Sequence, residues 1–98
     1  MSTNTQLSEK TGTRLKRPRK YKVVMYNDDF TPMDVVVDIL IEVFHKSQEE
    51  AVMLMLAVHK GQKAVVGQYT YDMAKTKAER AVRIARDLGY PFRVEVEA

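Results

Sequence analysis

The chain has 98 residues, enough for one domain with one small core and one shallow site. It has no cysteine, which excludes thiol catalysis, disulfides and thiolate metal sites. Its net charge of +3 is unevenly distributed: residues 1–20 carry six Lys and Arg against one Glu, whereas residues 21–98 carry ten against twelve Asp and Glu. Because a nucleic-acid-binding fold needs a basic face on its folded part, this distribution does not favour a nucleic-acid partner.

Residues 1–20 are polar, basic and poor in apolar side chains, which predicts a disordered tail. No apolar run approaches the roughly 20 residues that a membrane span requires. The first ten residues also lack the apolar stretch typical of a secretory signal. We therefore expect a cytoplasmic protein without membrane association, in which residues 21–98 form the single domain.

The first half of this domain reads as a strand, a polar loop and a helix. The strand is expected over residues 21–26, which are rich in β-branched and aromatic side chains. The loop over residues 27–33 carries an Asn, two Asp and a proline. Thr31 as cap and Pro32 at the first helical position favour a helix start there, and the helix should end near His45.

A second helix is expected to open at a capping box formed by Ser47 and Glu50, with Gly61 as its stop. Residues 51–58 are apolar on every face of this helix. A short helix of that kind is buried on more than one side, so we expect it either to be the central helix of the fold or to line a pocket.

The last part predicts a strand over residues 63–69, a helix over residues 72–88 that ends at Gly89, and a final strand. The helix carries its apolar side chains at Met73, Ala74, Ala78, Ala81, Val82 and Ala85. In the final strand, Phe92, Val94 and Val96 alternate with charged residues, which indicates one buried face. The order β-α-α-β-α-β predicts an α+β fold, a three-stranded antiparallel sheet covered by three helices on one face.

Two segments are candidates for binding. Asn27, Asp28 and Asp29 place an amide and two carboxylates beside a strand end, where they can accept hydrogen bonds from a cation or simply form a self-bonded polar turn. The segment lacks the ligand alternation and the glycine of a calcium loop. On the second helix, His59 shares a face with Met55 and Val52, but a histidine near a helix C-terminus is also a common surface feature.

Catalysis has little support in this sequence. Two of its three serines lie in the tail and the third is the helix cap Ser47, so no hydroxyl nucleophile is evident. Two histidines fourteen residues apart do not make a zinc site, and there is no glycine-rich phosphate loop. We expect no metal and no cofactor.

Three segments, taken in order, resemble the signature of the ClpS family of protease adaptors. Residues 27–33 are similar to its N-D-D-(aromatic)-T-P-M core, residues 55–59 to its M-L-x-V-H segment, and residues 67–77 to its G-x-(aromatic)-T…T-K segment. The resemblance covers roughly residues 21–96. It implies an adaptor that binds the bulky hydrophobic first residue of N-degron substrates (Leu, Phe, Tyr or Trp) and delivers them to a Clp AAA+ unfoldase, ClpA or ClpC, which feeds the ClpP protease.

The resemblance also implies roles for individual residues. Asn27, Asp29 and His59 would bind the free α-amino group of the substrate. Its side chain would enter a pocket lined by Met25, Thr31, Met33, Val36, Met55, Val58 and Phe92. Asp72 and Lys77 would lie on the surface that docks on the unfoldase N-terminal domain, and the tail would take the place of an N-terminal extension that the unfoldase engages.

The sequence departs from the family pattern at Tyr26 and Phe92, where aliphatic residues are common, and either side chain could narrow the pocket.

Two competing interpretations remain: a nucleic-acid or ribosome-associated protein that uses its basic tail, and a small enzyme that uses Asp29 and His59. For an adaptor of this size we expect a monomer.

Overall fold

The computed structural model describes residues 19–98. The predicted disordered tail therefore lies, as far as residue 18, outside the described residues. Six elements follow in chain order: β1 (Tyr21–Tyr26), α1 (Met33–Phe44), α2 (Gln48–Gly61), β2 (Lys63–Tyr69), α3 (Tyr71–Asp87) and β3 (Arg93–Glu97). The strands form one antiparallel sheet in the order β2-β1-β3. This confirms the predicted element order and the α+β class.

The core lies between the sheet and the helices. In the central strand β1, Val23 and Met25 are both fully buried, and they belong to one cluster with residues of all three helices. Lys22 and Tyr26 alternate with them and lie on the other face of the sheet. The predicted covering of a single sheet face by three helices is confirmed.

Helix α3 packs through small side chains. Ala74, Ala78, Ala81 and Ala85 are all buried, and their spacing of three and four residues puts them on one face of the helix. Met73 was expected to join this apolar face, but the structure leaves it 51% exposed. Its position, one residue before Ala74, turns it about 100° away from the buried stripe.

Helix α2 departs most from the sequence prediction. Ala51 and Val58 are buried, whereas Met53 is 70% exposed and Leu56 44% exposed. The expectation that this helix is buried on more than one side is therefore wrong, since one of its apolar faces points to solvent.

The helix ends follow the sequence rules in part. The capping box of α2 is present: the Ser47 side chain accepts from the Glu50 backbone N–H, and the Glu50 carboxylate accepts from the Ser47 N–H. Helix α1, however, begins at Met33 with Pro32 as its N-cap, and Thr31 makes no cap hydrogen bond. Helix α2 includes Gly61, and the left-handed residue that ends it is Gln62, with φ of 75°.

Strand β2 contains a close contact that involves its glycine. An added Cβ at Gly67 would lie 2.8 Å from the Tyr69 hydroxyl oxygen and 3.1 Å from two ring carbons. The Tyr69 ring packs near Phe44, with ring centroids 6.5 Å apart, and the Lys77 ammonium lies 5.6 Å from its centroid. Because Gly67 has no side chain, the Tyr69 ring can occupy the space next to it.

Over residues 19–98, none of the helices is both long and apolar enough to span a membrane.

Candidate functional site

The candidate site is a cavity of about 290 Å³ between the loop of residues 27–33 and the C-terminal half of α2. The loop contributes all seven of its residues to the lining, and the helices add Val36, Met55, Val58 and His59. Two separate stretches of the chain, residues 27–36 and residues 55–59, therefore meet at one concave surface.

A backbone hydrogen bond brings the loop and α2 together. The Asn27 N–H donates to the Gln62 carbonyl oxygen at 2.8 Å. Gln62 is the left-handed residue that ends α2, and its own N–H donates to the Val58 carbonyl oxygen at 2.8 Å. Because His59 lies only three residues before Gln62, the last turn of α2 is held next to the start of the loop. This contact explains why residues 32 positions apart line the same cavity.

The polar side of the cavity consists of Asn27, Asp29 and His59. Asp29 and His59 are exposed and Asn27 is half-buried. Among residues 19–98, no hydrogen bond to these three side chains is present. Their oxygen atoms and the neutral imidazole can therefore accept hydrogen bonds from a ligand.

Asp28 behaves differently from its neighbour. One carboxylate oxygen accepts from the Phe30 N–H at 2.8 Å and from the Thr31 N–H at 2.7 Å, and the other accepts from the Thr31 hydroxyl at 2.9 Å. Partial burial acts to raise the pKa of Asp28, but the hydrogen bonds from Thr31 and Phe30 outweigh it, and the net pKa lies below its ordinary value.

The apolar side of the cavity is formed by Met33 and Val36 of α1 and by Met55 and Val58 of α2. Val36 and Val58 are buried, whereas Met33 is 46% exposed at the mouth. Small-molecule pockets span about 300–1,000 Å³. The volume of this cavity is at the lower end of that range, which suits one apolar side chain rather than a larger ligand.

Five of the seven residues assigned to the pocket by resemblance line this cavity: Thr31, Met33, Val36, Met55 and Val58. Met25 and Phe92 are not among its lining residues, and both side chains are buried in the core, 0% and 2% exposed. Tyr26 lies on the opposite sheet face, where its hydroxyl donates to Glu97 and the Arg93 guanidinium is 4.1 Å from the ring centroid. Neither departure from the family pattern narrows the cavity directly.

The lining also includes Phe30 and Pro32, to which the sequence prediction gave no binding role, and Asp28, which it offered either as an acceptor for a cation or as part of a self-bonded turn. The three hydrogen bonds of Asp28 within the loop follow the second alternative. Phe30 is 73% exposed.

The two residues predicted to dock on a partner lie together elsewhere. Asp72 and Lys77 line a second cavity of about 280 Å³ with Val43, Met73, Thr76 and Arg80. Asp72 is exposed in the first turn of α3. Lys77 is half-buried, and its Nζ donates to the Val43 carbonyl oxygen, near the end of α1, at 3.0 Å.

A larger cavity of about 510 Å³ lies between α3 and β3. Its charged lining is Lys75, Arg83 and Glu79, so cations outnumber carboxylates and a cationic ligand is not favoured there. Within residues 19–98, no three His, Asp or Glu side chains form a group that could hold a metal ion.

The fold and the cavity beside the loop define a class of protein, a small α+β domain in which hydrogen-bond acceptors lie next to an apolar cavity. Comparison with known proteins places it more closely. Residues 16–95 match the family model of the ATP-dependent Clp protease adaptor protein ClpS. The chain therefore belongs to the ClpS family.

Individual relatives agree with this assignment. The chain is 43% identical over 97 residues to the ATP-dependent Clp protease adapter protein ClpS of Acetivibrio thermocellus, covering 99% of this chain and 98% of that protein. It is 50% identical over 80 residues to the ClpS of Treponema denticola, covering 82% and 79%. The solved structure of Agrobacterium tumefaciens ClpS2 bound to L-phenylalaninamide superposes with a TM-score of 0.81 at 36% identity, covering 83% of this chain and 98% of that one.

Proposed function

We propose that the cavity binds the first residue of a protein substrate. The substrate's bulky hydrophobic side chain, from Leu, Phe, Tyr or Trp, enters between α1 and α2. Its protonated α-amino group donates to Asn27, Asp29 and His59 at the rim. The adaptor then delivers this N-degron substrate to the AAA+ unfoldase of the Clp protease.

The observation that carries the proposal is the placement of acceptors beside an apolar wall. A protein N-terminus is the one place in a polypeptide where a cationic amine is attached next to a side chain on the same carbon atom. The cavity offers Asn27, Asp29 and His59 on one side and Met33, Val36, Met55 and Val58 on the other. The ligand of the Agrobacterium relative, L-phenylalaninamide, has the same two features, a free α-amine and an apolar side chain.

The partner in this proposal is the N-terminal domain of ClpA or ClpC, which docks on the surface around Asp72 and Lys77. The exposed Met73 between them offers an apolar contact at the centre of that surface. Recognition and delivery require binding only, so the protein acts without catalysis and without a cofactor. It works as a monomer in the cytoplasm, with the segment before residue 19 available to the unfoldase.

The test is a binding assay with peptides that are identical except for the first residue. Peptides beginning with Leu, Phe, Tyr or Trp should bind, and those beginning with Ala, Gly, Lys or Asp should bind at least about tenfold more weakly. One buried Leu or Phe side chain contributes about 1.5–3 kcal/mol, and 1.4 kcal/mol corresponds to a factor of ten. Equal affinity across the panel would refute the proposal.

The salt dependence of binding distinguishes this proposal from the competing interpretation, a nucleic-acid-binding protein that uses its basic tail. Binding to a nucleic acid would fall steeply with salt because it releases counterions. Binding of a first residue should fall much less with salt, since it involves one amine and the burial of one apolar side chain rather than the release of many counterions.

A further inference from the structure

The loop of residues 27–33 must hold one shape for the cavity to exist, yet its side chains provide little packing. Phe30 is 73% exposed, Met33 is 46% exposed and Asp29 is exposed. Burial of apolar surface is the usual source of order in a loop. Here that source is nearly absent, so the loop must be held by hydrogen bonds.

Those hydrogen bonds fall at three places. The start of the loop is held by the Asn27 N–H on the Gln62 carbonyl. Its end is held by the Pro32 carbonyl, which accepts from the N–H groups of Val35 and Val36 at the start of α1. Between these ends, every hydrogen bond among the described residues converges on the carboxylate of Asp28.

We propose that Asp28 is a positioning residue that holds the loop in its binding arrangement, so that Asn27, Asp29 and Met33 line one cavity. The inference rests on the proposed function. It gives different roles to Asp28 and Asp29, which are adjacent and have the same side chain. The Asp28 carboxylate accepts from three donors of its own loop, whereas the Asp29 carboxylate accepts from none among residues 19–98 and is open to the ligand.

The lowered pKa of Asp28 agrees with this division, because it reports that the protein's own hydrogen bonds stabilise the ionised form. A loop that loses these bonds samples other shapes. The apparent affinity then falls in proportion to the fraction of molecules in the competent shape.

The experiment uses the full chain and four variants: Asp28→Ala, Asp28→Asn, Thr31→Val and, as the matched control, Asp29→Asn. Affinity is measured for a Phe-initiated peptide and for its N-acetylated form. Hydrogen exchange is measured at the amides of residues 30 and 31, and thermal unfolding is recorded for each variant.

Asp28→Ala should bind roughly tenfold or more weakly and exchange both amides faster, while the melting temperature changes little. Asp28→Asn keeps an oxygen that can accept from both amides, so it should recover affinity to within about threefold of the wild type. Both Asp28 variants should keep the preference for the free amine over the acetylated form, whereas Asp29→Asn should reduce that preference.

Thr31→Val removes one donor and should shift affinity and exchange in the same direction by a smaller amount. If Asp28→Ala does not fold, Thr31→Val still tests the inference.

The inference is overturned if Asp28→Asn loses as much affinity as Asp28→Ala while the amides stay protected, because Asp28 would then contact the amine itself. It is also overturned if the Asp28→Ala amides exchange faster but the peptide binds as tightly as to the wild type. Failure of the wild type to prefer the free amine would instead refute the proposed function, and the exchange data would still report on the loop.

Discussion

The candidate cavity and the surface around Asp72 and Lys77 use their polar side chains in opposite ways. At the cavity rim, the side chains of Asp29 and His59 are exposed and make no hydrogen bond to the rest of residues 19–98, so they can be changed without removing a hydrogen bond from the fold. On the other surface, Lys77 also holds the domain together, since it donates to the Val43 carbonyl and lies over the Tyr69 ring. A mutation at the rim therefore tests binding alone, whereas a mutation of Lys77 tests binding and stability together.

The largest effect is expected at the rim, from the amine itself. Acetylating the first residue of a peptide removes its charge and two of its hydrogen-bond donors, and leaves the acceptors of Asn27, Asp29 and His59 unpaired. A hydrogen bond to a charged group is worth about 1.5–3 kcal/mol, so affinity should fall roughly tenfold to a hundredfold or more. Isothermal titration with matched free and acetylated peptides measures this, and equal affinities would remove the rim from the binding site.

The next largest effect is expected at the surface around Asp72 and Lys77, where the two residues should differ in their effect on stability. Both Asp72→Ala and Lys77→Ala should weaken binding to the unfoldase N-terminal domain. Lys77→Ala should in addition lower the free energy of unfolding by about 1–2 kcal/mol, because it leaves a carbonyl at the end of α1 without its donor. Urea denaturation measures this difference.

Lys75→Ala is the matched control for that comparison. Lys75 lies on the same helix, but its ion pair with Glu79 is exposed and outside the cavity around Asp72. Such pairs contribute about 0–1 kcal/mol. If Lys77→Ala is as stable as Lys75→Ala, the hydrogen bond to Val43 contributes nothing measurable.

A smaller effect concerns selectivity at the mouth of the cavity. Met33 lines the cavity and is 46% exposed, and in the proposed binding mode we expect its side chain to lie near the Cβ of the first residue. A branch at Cβ is stiff and wide close to the backbone, and we expect Met33 to exclude Ile and Val for that reason. Met33→Ala should therefore raise the affinity for Ile- and Val-initiated peptides severalfold and leave Leu-initiated peptides nearly unchanged.

The control for this variant is Met53→Ala. Met53 is a second exposed methionine, 70% exposed, on a face of α2 that does not line the cavity. Continued rejection of Ile by Met33→Ala would place the selective contact at another residue.

Acid should affect the loop through Asp28. Because the pKa of Asp28 lies below its ordinary value, its ionised form stabilises the loop at every pH above the usual carboxyl range. That contribution is lost only as the pH falls through the lowered pKa.

Peptide affinity and the exchange of the loop amides, both measured from pH 7 to pH 3, should therefore change together as the pH falls through the lowered pKa of Asp28. Faster amide exchange at low pH without any loss of affinity would mean that the shape of the loop does not limit binding.

The smallest effect is expected from removing residues 1–17. Their composition predicts no part in the core, so the shortened protein should keep its melting temperature within a few degrees and bind peptides as before. Delivery to the protease, measured as degradation of an N-degron substrate, should be reduced. A large loss of thermal stability would show that the domain begins earlier than residue 21.

The sequence predicted those features that depend on local periodicity or on a short motif. The capping box at Ser47, the alanine stripe of α3 and the alternation in β3 all follow from spacing within a few residues, and each is present in the structure. The cavity itself could be predicted only from the family resemblance. Its two sides come from the loop and α2, and no pattern within a few residues indicates that these two segments lie next to each other.

The errors have a common physical origin, which is tertiary context. Periodicity showed that residues 51–58 are apolar, but not that the domain is too small to cover both sides of their helix, and Met53 is left exposed. Thr31 has the chemistry of a helix cap, yet its hydroxyl donates to Asp28 instead. The assignment of Met25 and Phe92 to the pocket by resemblance stays a prediction, since both side chains lie in the core cluster that also contains the lining residues Val36 and Val58.

The contact between Gly67 and Tyr69 has a consequence for how the family's sequences can diverge. A side chain at residue 67 would displace the Tyr69 ring, and that ring packs near Phe44 and below the Lys77 ammonium. Gly67 and Tyr69 therefore form one steric unit, in which a larger residue at the first position is tolerated only with a smaller one at the second. A substitution on the edge strand β2 would in this way alter the surroundings of Lys77, a residue of α3.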